Sequence, residues 1–75
     1  MTAHQRQILD ALKHGPLGLF ELADQIDSEA FRVRAELHAL RRERIVHERL
    51  TRTAHIWELT NRGQELAWAA DQLTL

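Results

Sequence analysis

Seven arginines in one stretch of this 75-residue chain are the side chains most able to bind a ligand. Residues 28–52 carry these arginines and four glutamates, a net charge of +3, whereas the other residues carry three basic and seven acidic side chains, a net charge of −4. Such asymmetry indicates an anionic partner on one face of the molecule. It also fits a helix surface covered with salt bridges, because Glu29, Arg32 and Glu36 are spaced three and four residues apart. Charge alone leaves both explanations open.

Histidines are the next candidates for chemistry, because imidazole is a common metal ligand. The chain has five of them, which are His4, His14, His38, His47 and His55. A metal site needs three or four ligands at fixed geometry. No predicted helix carries an H-x-x-x-H or Glu-x-x-His pair. We therefore expect surface histidines, with no metal and no other cofactor.

Residues for covalent catalysis are scarce in this sequence. The chain has no cysteine, which excludes a disulfide framework, a thiol nucleophile and a zinc finger. Its only serine, Ser28, stands where a helix cap is expected. The sequence contains neither a G-x-S-x-G nucleophile motif nor a Gly-rich phosphate loop. We predict that the protein is not an enzyme.

The composition is that of a small globular domain, with 44% apolar and 28% charged residues. A chain of this length can build one modest core. Its longest unbroken apolar run is residues 66–70, far short of the ~20 residues that a membrane helix needs. Residues 1–6 lead into no signal-peptide core. We expect one domain over residues 1–75, located in the cytoplasm.

The elements that must position the arginines are predicted from periodicity and capping signals. Helices are predicted over residues 3–14, 20–26, 29–44 and 61–72, and strands over residues 45–50 and 55–59. Thr2 caps the first helix, and Gln5 completes a capping box. Gly15-Pro16 ends that helix, because proline disfavours helical dihedrals in the residue before it. Asp27 or Ser28 is expected to cap the third helix.

The two strands are expected to form a hairpin with a tight turn at Arg52-Thr53. This turn pairs Val46 with Leu59, Glu48 with Trp57, and Leu50 with His55. The face that should rest on the helices then carries Val46, Leu50, Trp57 and Leu59. Thr60 caps the last helix, whose inward stripe is predicted to be Leu66, Ala70 and Leu73.

The inward positions of all these elements make up one predicted core. Its members are Ile8, Leu9, Leu12, Leu22, Ile26, Val33, Leu37, Leu40, Val46, Trp57, Leu59 and Leu66.

Several short motifs occur in a definite order along the predicted elements. They are Gly15-Pro16-Leu17-Gly18-Leu19 with Phe20-Glu21-Leu22-Ala23, then Val33-x-x-x-Leu37-x-x-Leu40 leading to Ile45-Val46, then Trp57-Glu58-Leu59-Thr60-x-x-Gly63. In order and spacing, over nearly the whole chain, they resemble the winged helix-turn-helix family of bacterial and phage regulators. The resemblance implies an α+β fold, in which a three-helix core carries a two-stranded β-hairpin wing and a C-terminal helix.

The resemblance also implies duplex DNA binding by a small transcriptional regulator. In this docking mode the third helix enters the major groove, and the wing lies on the backbone or in the minor groove. The residues then expected to face the bases are Phe31, Arg34, Ala35 and His38, of which Arg34 can bind guanine. The residues expected to contact phosphates are Arg32, Arg41, Arg42, Arg49 and Arg52.

Two departures from the family pattern bear on this expectation. Arg44 stands where such sequences usually carry glycine before the wing, at a place that often needs a positive φ. Glu29 and Phe31 stand at the start of the third helix, where the family often has Ser, Thr or Lys. Glutamate repels phosphate, and Phe31 can contact a thymine methyl but cannot hydrogen-bond a base edge. These residues suit an alternative, a winged helix that binds only protein.

Trp68 lies on the predicted last helix but outside its inward stripe. It lies about 200° around the helix from Leu66, at about 100° per residue. Regulators of this family commonly dimerise through their terminal helices, so the resemblance implies a homodimer interface that includes Trp68 and Leu75. An intramolecular contact between Trp68 and the first helix is the alternative.

Overall fold

The computed structural model describes residues 1–73, and side chains as far as residue 69. The elements follow one another as α1 (Ala3–Leu12), β1 (Leu17–Gly18), α2 (Leu19–Gln25), α3 (Ala30–Arg42), β2 (Val46–Leu50), β3 (His55–Leu59) and α4 (Asn61–Leu73). The strands form one antiparallel sheet in the order β1-β3-β2. The α+β arrangement predicted from the sequence is confirmed, and Leu17–Gly18, between α1 and α2, adds a short third strand.

Local signals set the ends of most helices where they were expected. Thr2 and Gln5 form the predicted capping box at the start of α1. Gly15, in the turn after α1, has φ +136°, a conformation that side chains disfavour. The predicted cap of α3 is wrong, because Glu29 occupies that position without a side-chain hydrogen bond. The hydroxyl of Ser28 is instead hydrogen-bonded to His4 Nε2, at 3.0 Å.

The hairpin has the predicted register. Val46 lies opposite Leu59, Glu48 opposite Trp57, and Leu50 opposite His55. Thr51 closes the turn, because its backbone N–H and its hydroxyl both donate to the carbonyl oxygen of Ala54. The core beneath the sheet comprises Ile8, Leu9, Ala11, Leu12, Leu22, Ala23, Val33, Leu37, Leu40, Ile45, Val46, Trp57, Leu59 and Ala67.

Two positions predicted to face inward are wrong. Leu66 is 37% exposed, and within residues 61–69 the buried residues of α4 are Gly63 and Ala67, of which Ala67 is 1% exposed. The backbone of Ile45 lies close against Gly63. This contact turns the small residues Gly63 and Ala67 inward and leaves Leu66 outside. Leu50 is 68% exposed, because it lies at the far end of the hairpin from Val46, which is buried. Ile26 is only partly buried but does pack against the core. The side chains of the other predicted inward residues of α4, Ala70 and Leu73, lie outside those described.

The close approach joins the end of α3, the start of β2 and the start of α4. Arg44 has φ +62°, so it adopts the glycine-like conformation expected from its place in the sequence. The Thr60 hydroxyl donates to the carbonyl oxygens of Arg44, at 2.6 Å, and Ile45, at 3.1 Å. It also accepts the N–H of Gly63, at 3.1 Å, as a helix cap. A Cβ on Gly63 would lie 2.1 Å from the Ile45 carbonyl oxygen, so only glycine fits.

None of the helices within residues 1–73 combines the length and apolar content that a membrane span requires.

Leu37→Ala is expected to lower the free energy of unfolding by ~2–5 kcal/mol, because Leu37 is fully buried in α3 and its truncation leaves a cavity. A loss at the upper end of this range would equal the whole stability of a domain at the lower end of the usual ~5–15 kcal/mol. Leu66→Ala is the matched control and should cost less than about 1 kcal/mol, since its side chain is partly exposed. Urea unfolding measures both, and equal losses would contradict the inward face assigned to each helix.

Candidate nucleic-acid interface

The outward face of α3 carries the residues predicted to meet a ligand. Val33, Leu37 and Leu40 occupy the opposite face and are fully buried. The outward residues Phe31, Arg34, Ala35 and Arg42 are exposed, and His38 is half-buried. The apolar stripe of the helix packs against α1, α2 and the sheet, so the opposite face is presented to solvent.

A groove of about 710 Å³ separates this face of α3 from the hairpin. Arg34 and His38 line it from α3, and Glu48, His55 and Trp57 line it from the hairpin. The rings of His38 and Trp57 meet edge to face, with centroids 5.8 Å apart. The first turn of α2 closes the groove at one end, where it contributes Phe20 and Glu21. Sequence reasoning missed Phe20, whose 76% exposure has no signal in the periodicity of a helix this short.

Four of the six arginines predicted to contact DNA have guanidinium groups available for a ligand. Arg32, Arg34 and Arg42 on α3, and Arg52 at the hairpin tip, form no ion pair with any side chain among residues 1–69. The pairs Arg32–Glu36 and Glu29–Arg32, which the spacing allowed, are not formed between these described side chains. The salt-bridged surface is therefore the wrong explanation for these arginines.

The other two predicted phosphate contacts, Arg41 and Arg49, are shared with carboxylates of the hairpin. Arg41 Nη1 lies 3.4 Å from Glu48 Oε1, and Arg49 Nε lies 3.7 Å from Glu58 Oε1. Each carboxylate also holds a histidine. His55 Nδ1 lies 2.9 Å from Glu48 Oε2, and His47 Nε2 lies 3.0 Å from Glu58 Oε1. Sequence reasoning missed both glutamates, although the predicted register already placed His47 opposite Glu58.

Trp68 makes the contact with the first helix that was the alternative to a dimer interface. The Lys13 ammonium lies 4.9 Å from the centroid of the Trp68 ring. The indole N–H donates to Gln64 Oε1 at 3.3 Å. Half of the side chain, 53%, nevertheless stays exposed. Leu75, the other residue of the predicted dimer interface, lies outside the described residues.

Metal binding has no support in the described part of the chain, where no three His, Cys, Asp or Glu side chains are grouped to hold an ion.

No protein-family model and no curated protein matches the chain, but solved structures do. A mutant form of ZitR of Lactococcus lactis matches with a TM-score of 0.89 and 17% identity, over 96% of this chain and 51% of that one. The adhesin competence repressor AdcR of Streptococcus pyogenes matches with a TM-score of 0.90 and 18% identity, over 99% and 57%. MepR, a transcription regulator of the Staphylococcus aureus multidrug efflux pump MepA, matches with a TM-score of 0.90 and 19% identity, over 97% and 57%.

The fold is a winged helix-turn-helix. In this winged helix, α2 and α3 are the helix-turn-helix, and the β2–β3 hairpin is the wing. The groove thus lies between the third helix and the wing, and Arg52, which forms no ion pair within residues 1–69, stands at the wing tip. The chain spans about half the length of the three proteins compared.

Proposed function

We propose that this winged helix binds duplex DNA as a small transcriptional regulator, with full or partial sequence specificity. One observation carries the proposal: the exposed face of α3 and the wing tip present four guanidinium groups that form no ion pair within residues 1–69, in the arrangement that this fold uses on DNA. The description of AdcR as a repressor and of MepR as a transcription regulator supports it. A binding role of this kind needs no catalytic residue, and a prokaryotic regulator meets its DNA in the cytoplasm.

The proposed contacts divide into base contacts and phosphate contacts. Arg34 offers two parallel N–H groups to guanine in the major groove, a pairing that discriminates by ~1–3 kcal/mol. Phe31, Ala35 and His38 lie on the same side of α3 and face the bases with it. The phosphate contacts are Arg32, Arg41, Arg42, Arg49 and Arg52. Of these, Arg41 and Arg49 are held by Glu48 and Glu58, so they contribute less than the three others.

A protein-binding module without DNA binding is the second candidate, because the exposed rings of Phe20 and Phe31 suit an apolar partner. The two candidates differ in salt dependence. A domain that neutralises phosphates shows affinity that falls with salt concentration, because each contact releases a counterion. The absence of any binding to random duplex DNA at low salt would favour the protein partner.

Arg52→Gln is expected to weaken binding to every duplex sequence alike and to flatten the plot of log K against log[salt] by about 0.9, one phosphate's worth. The reason is that Arg52 stands exposed at the wing tip without an ion pair in the described structure. Arg6→Gln is the matched control, since Arg6 is exposed on α1 beside Leu66 and its substitution removes the same charge away from the groove. Fluorescence anisotropy with a random duplex at several salt concentrations measures both. Equal slopes for the two variants would contradict the proposed role of the wing.

Glu48→Gln is expected to strengthen duplex binding and to steepen the salt dependence by up to about 0.9. The substitution removes the carboxylate that holds Arg41 and also removes a negative charge from the groove itself. Glu65→Gln on the exposed surface of α4 changes the net charge equally and should leave the slope unchanged. The same anisotropy titration compares them, and weaker binding by the Glu48 variant would show that its ion pairs build the interface.

We also propose that a homodimer, if the chain forms one, uses α1 and α4 with Trp68 and leaves α3 free. The supporting observation is that Trp68 stays 53% exposed although its ring already lies against the Lys13 ammonium. Trp68→Ala should shift sedimentation toward the monomer and leave the circular dichroism of the folded domain unchanged. A wild-type monomer at high micromolar concentration would exclude the dimer and leave Trp68 as a packing residue.

A further inference from the structure

The part of α3 farthest from the core is apolar in its first half. Phe31 and Ala35 lie two residues before and two residues after the buried Val33, so at ~100° per residue both point about 160° away from it. The two are one turn apart and form a continuous strip. Phe31 is 67% exposed, and its ring takes no part in the aromatic and cation–π contacts formed within residues 1–69. We call this pair the Phe31–Ala35 strip.

Charge on both sides of the strip identifies the kind of surface that it can meet. Arg32 and Arg34 flank Phe31 and form no ion pair within the described side chains. The first turn of α3 carries no acidic residue, and Glu29 stands one residue before the helix. An apolar strip between two unpaired cations is complementary to an apolar group set in a polyanion. A purely apolar protein surface would leave both guanidinium groups without a partner.

The major groove of DNA offers one apolar group along its base edges, the C5-methyl of thymine. We propose that the Phe31–Ala35 strip reads thymine methyl groups and is thereby a determinant of sequence preference. This inference rests on the proposed DNA binding and adds the identity of a base. Because the N-terminal residues of such a helix contact the bases, Phe31 occupies a reading position. Arg34 lies one turn further along the same side, so the preferred site places a thymine close to the guanine that Arg34 binds.

The loss of a single methyl group is the measurable consequence. Burial of one methyl contributes about 0.8 kcal/mol, which corresponds to roughly a fourfold change in affinity at 1.4 kcal/mol per tenfold. Deoxyuridine pairs like thymidine and lacks only this methyl, so it removes the proposed contact and leaves the phosphates and the hydrogen-bonding pattern unchanged.

The test begins with a duplex selected by the full chain from a randomised pool. Each thymine of that duplex is replaced in turn by deoxyuridine, and the dissociation constants are measured by fluorescence anisotropy at one salt concentration. We expect one or two positions at which deoxyuridine weakens binding by about three- to fivefold. Phe31→Ala should lose the preference for thymine over deoxyuridine at one or both of these positions and keep the salt slope of the wild type. The exposed position and the good helix propensity of alanine favour an intact fold in this variant.

Leu66→Ala is the matched control, because Leu66 is an exposed apolar residue of α4 that does not line the groove. This variant should keep the preference for thymine over deoxyuridine. The inference is overturned if the wild type binds both duplexes equally, if Phe31→Ala keeps the preference at every such position, or if Leu66→Ala loses it as well. In each of these cases DNA binding itself stands. Failure of the wild type to bind any duplex at low salt would instead overturn the proposed function together with the inference.

Discussion

The contact of Gly63 with the carbonyl oxygen of Ile45 fixes the position of the wing. At this point the backbone of α4 touches the first residue after the turn that ends α3, with no room for a side chain. The hydroxyl of Thr60 ties the same turn to the start of α4 through the carbonyl oxygens of Arg44 and Ile45. The direction of the hairpin and the outward face of α3 therefore depend on one junction. The groove between them lies where that junction sets the wing against α3, and the contact of His38 with Trp57 and the Arg41–Glu48 ion pair join its two sides.

The junction also explains a backbone conformation that would otherwise be unfavourable. Arg44 adopts a positive φ, which costs on the order of 1–2 kcal/mol for a residue with a side chain. The chain must reverse there within the three residues 43–45 to pass from α3 into β2, and the N–H of Ile45 still reaches the carbonyl oxygen of Leu40. The hydrogen bonds from Thr60 and the burial of Ile45 and Val46 offset the cost.

Periodicity and turn signals predicted most of the fold, because they report on short stretches of chain. The alternation of residues 45–59 was enough for the hairpin register, and Thr2 with Gln5 was enough for the start of α1. The failures involve distances between elements. No pattern in α4 shows that Gly63 must touch Ile45, so Leu66 was placed inside. Alternation marks the face of Leu50 but not how far the helices extend beneath it.

For the candidate site, the sequence predicted which residues of α3 face outward but not which of its arginines form ion pairs. The outward residues of α3 follow from the position of Val33, Leu37 and Leu40, and the structure places them as expected. Sequence spacing could not show which arginines are held by carboxylates, because Arg41 and Glu48 come together only when the wing folds over α3. The net charge of −1 therefore does not distinguish the arginines that pair with carboxylates from those that form no ion pair within residues 1–69. Under the proposed DNA binding, fewer free cations would mean fewer phosphate contacts, so a larger share of the affinity would come from the bases.

The placement of the two tryptophans gives the molecule an optical property. Trp57 is buried at the floor of the groove with its ring against His38, whereas Trp68 lies half-exposed against α1. The chain contains no other tryptophan and no tyrosine. Replacement of Trp68 by phenylalanine would leave a single indole whose fluorescence comes from the groove alone. Occupancy of the groove could then be followed through the protein's own emission, without an attached dye.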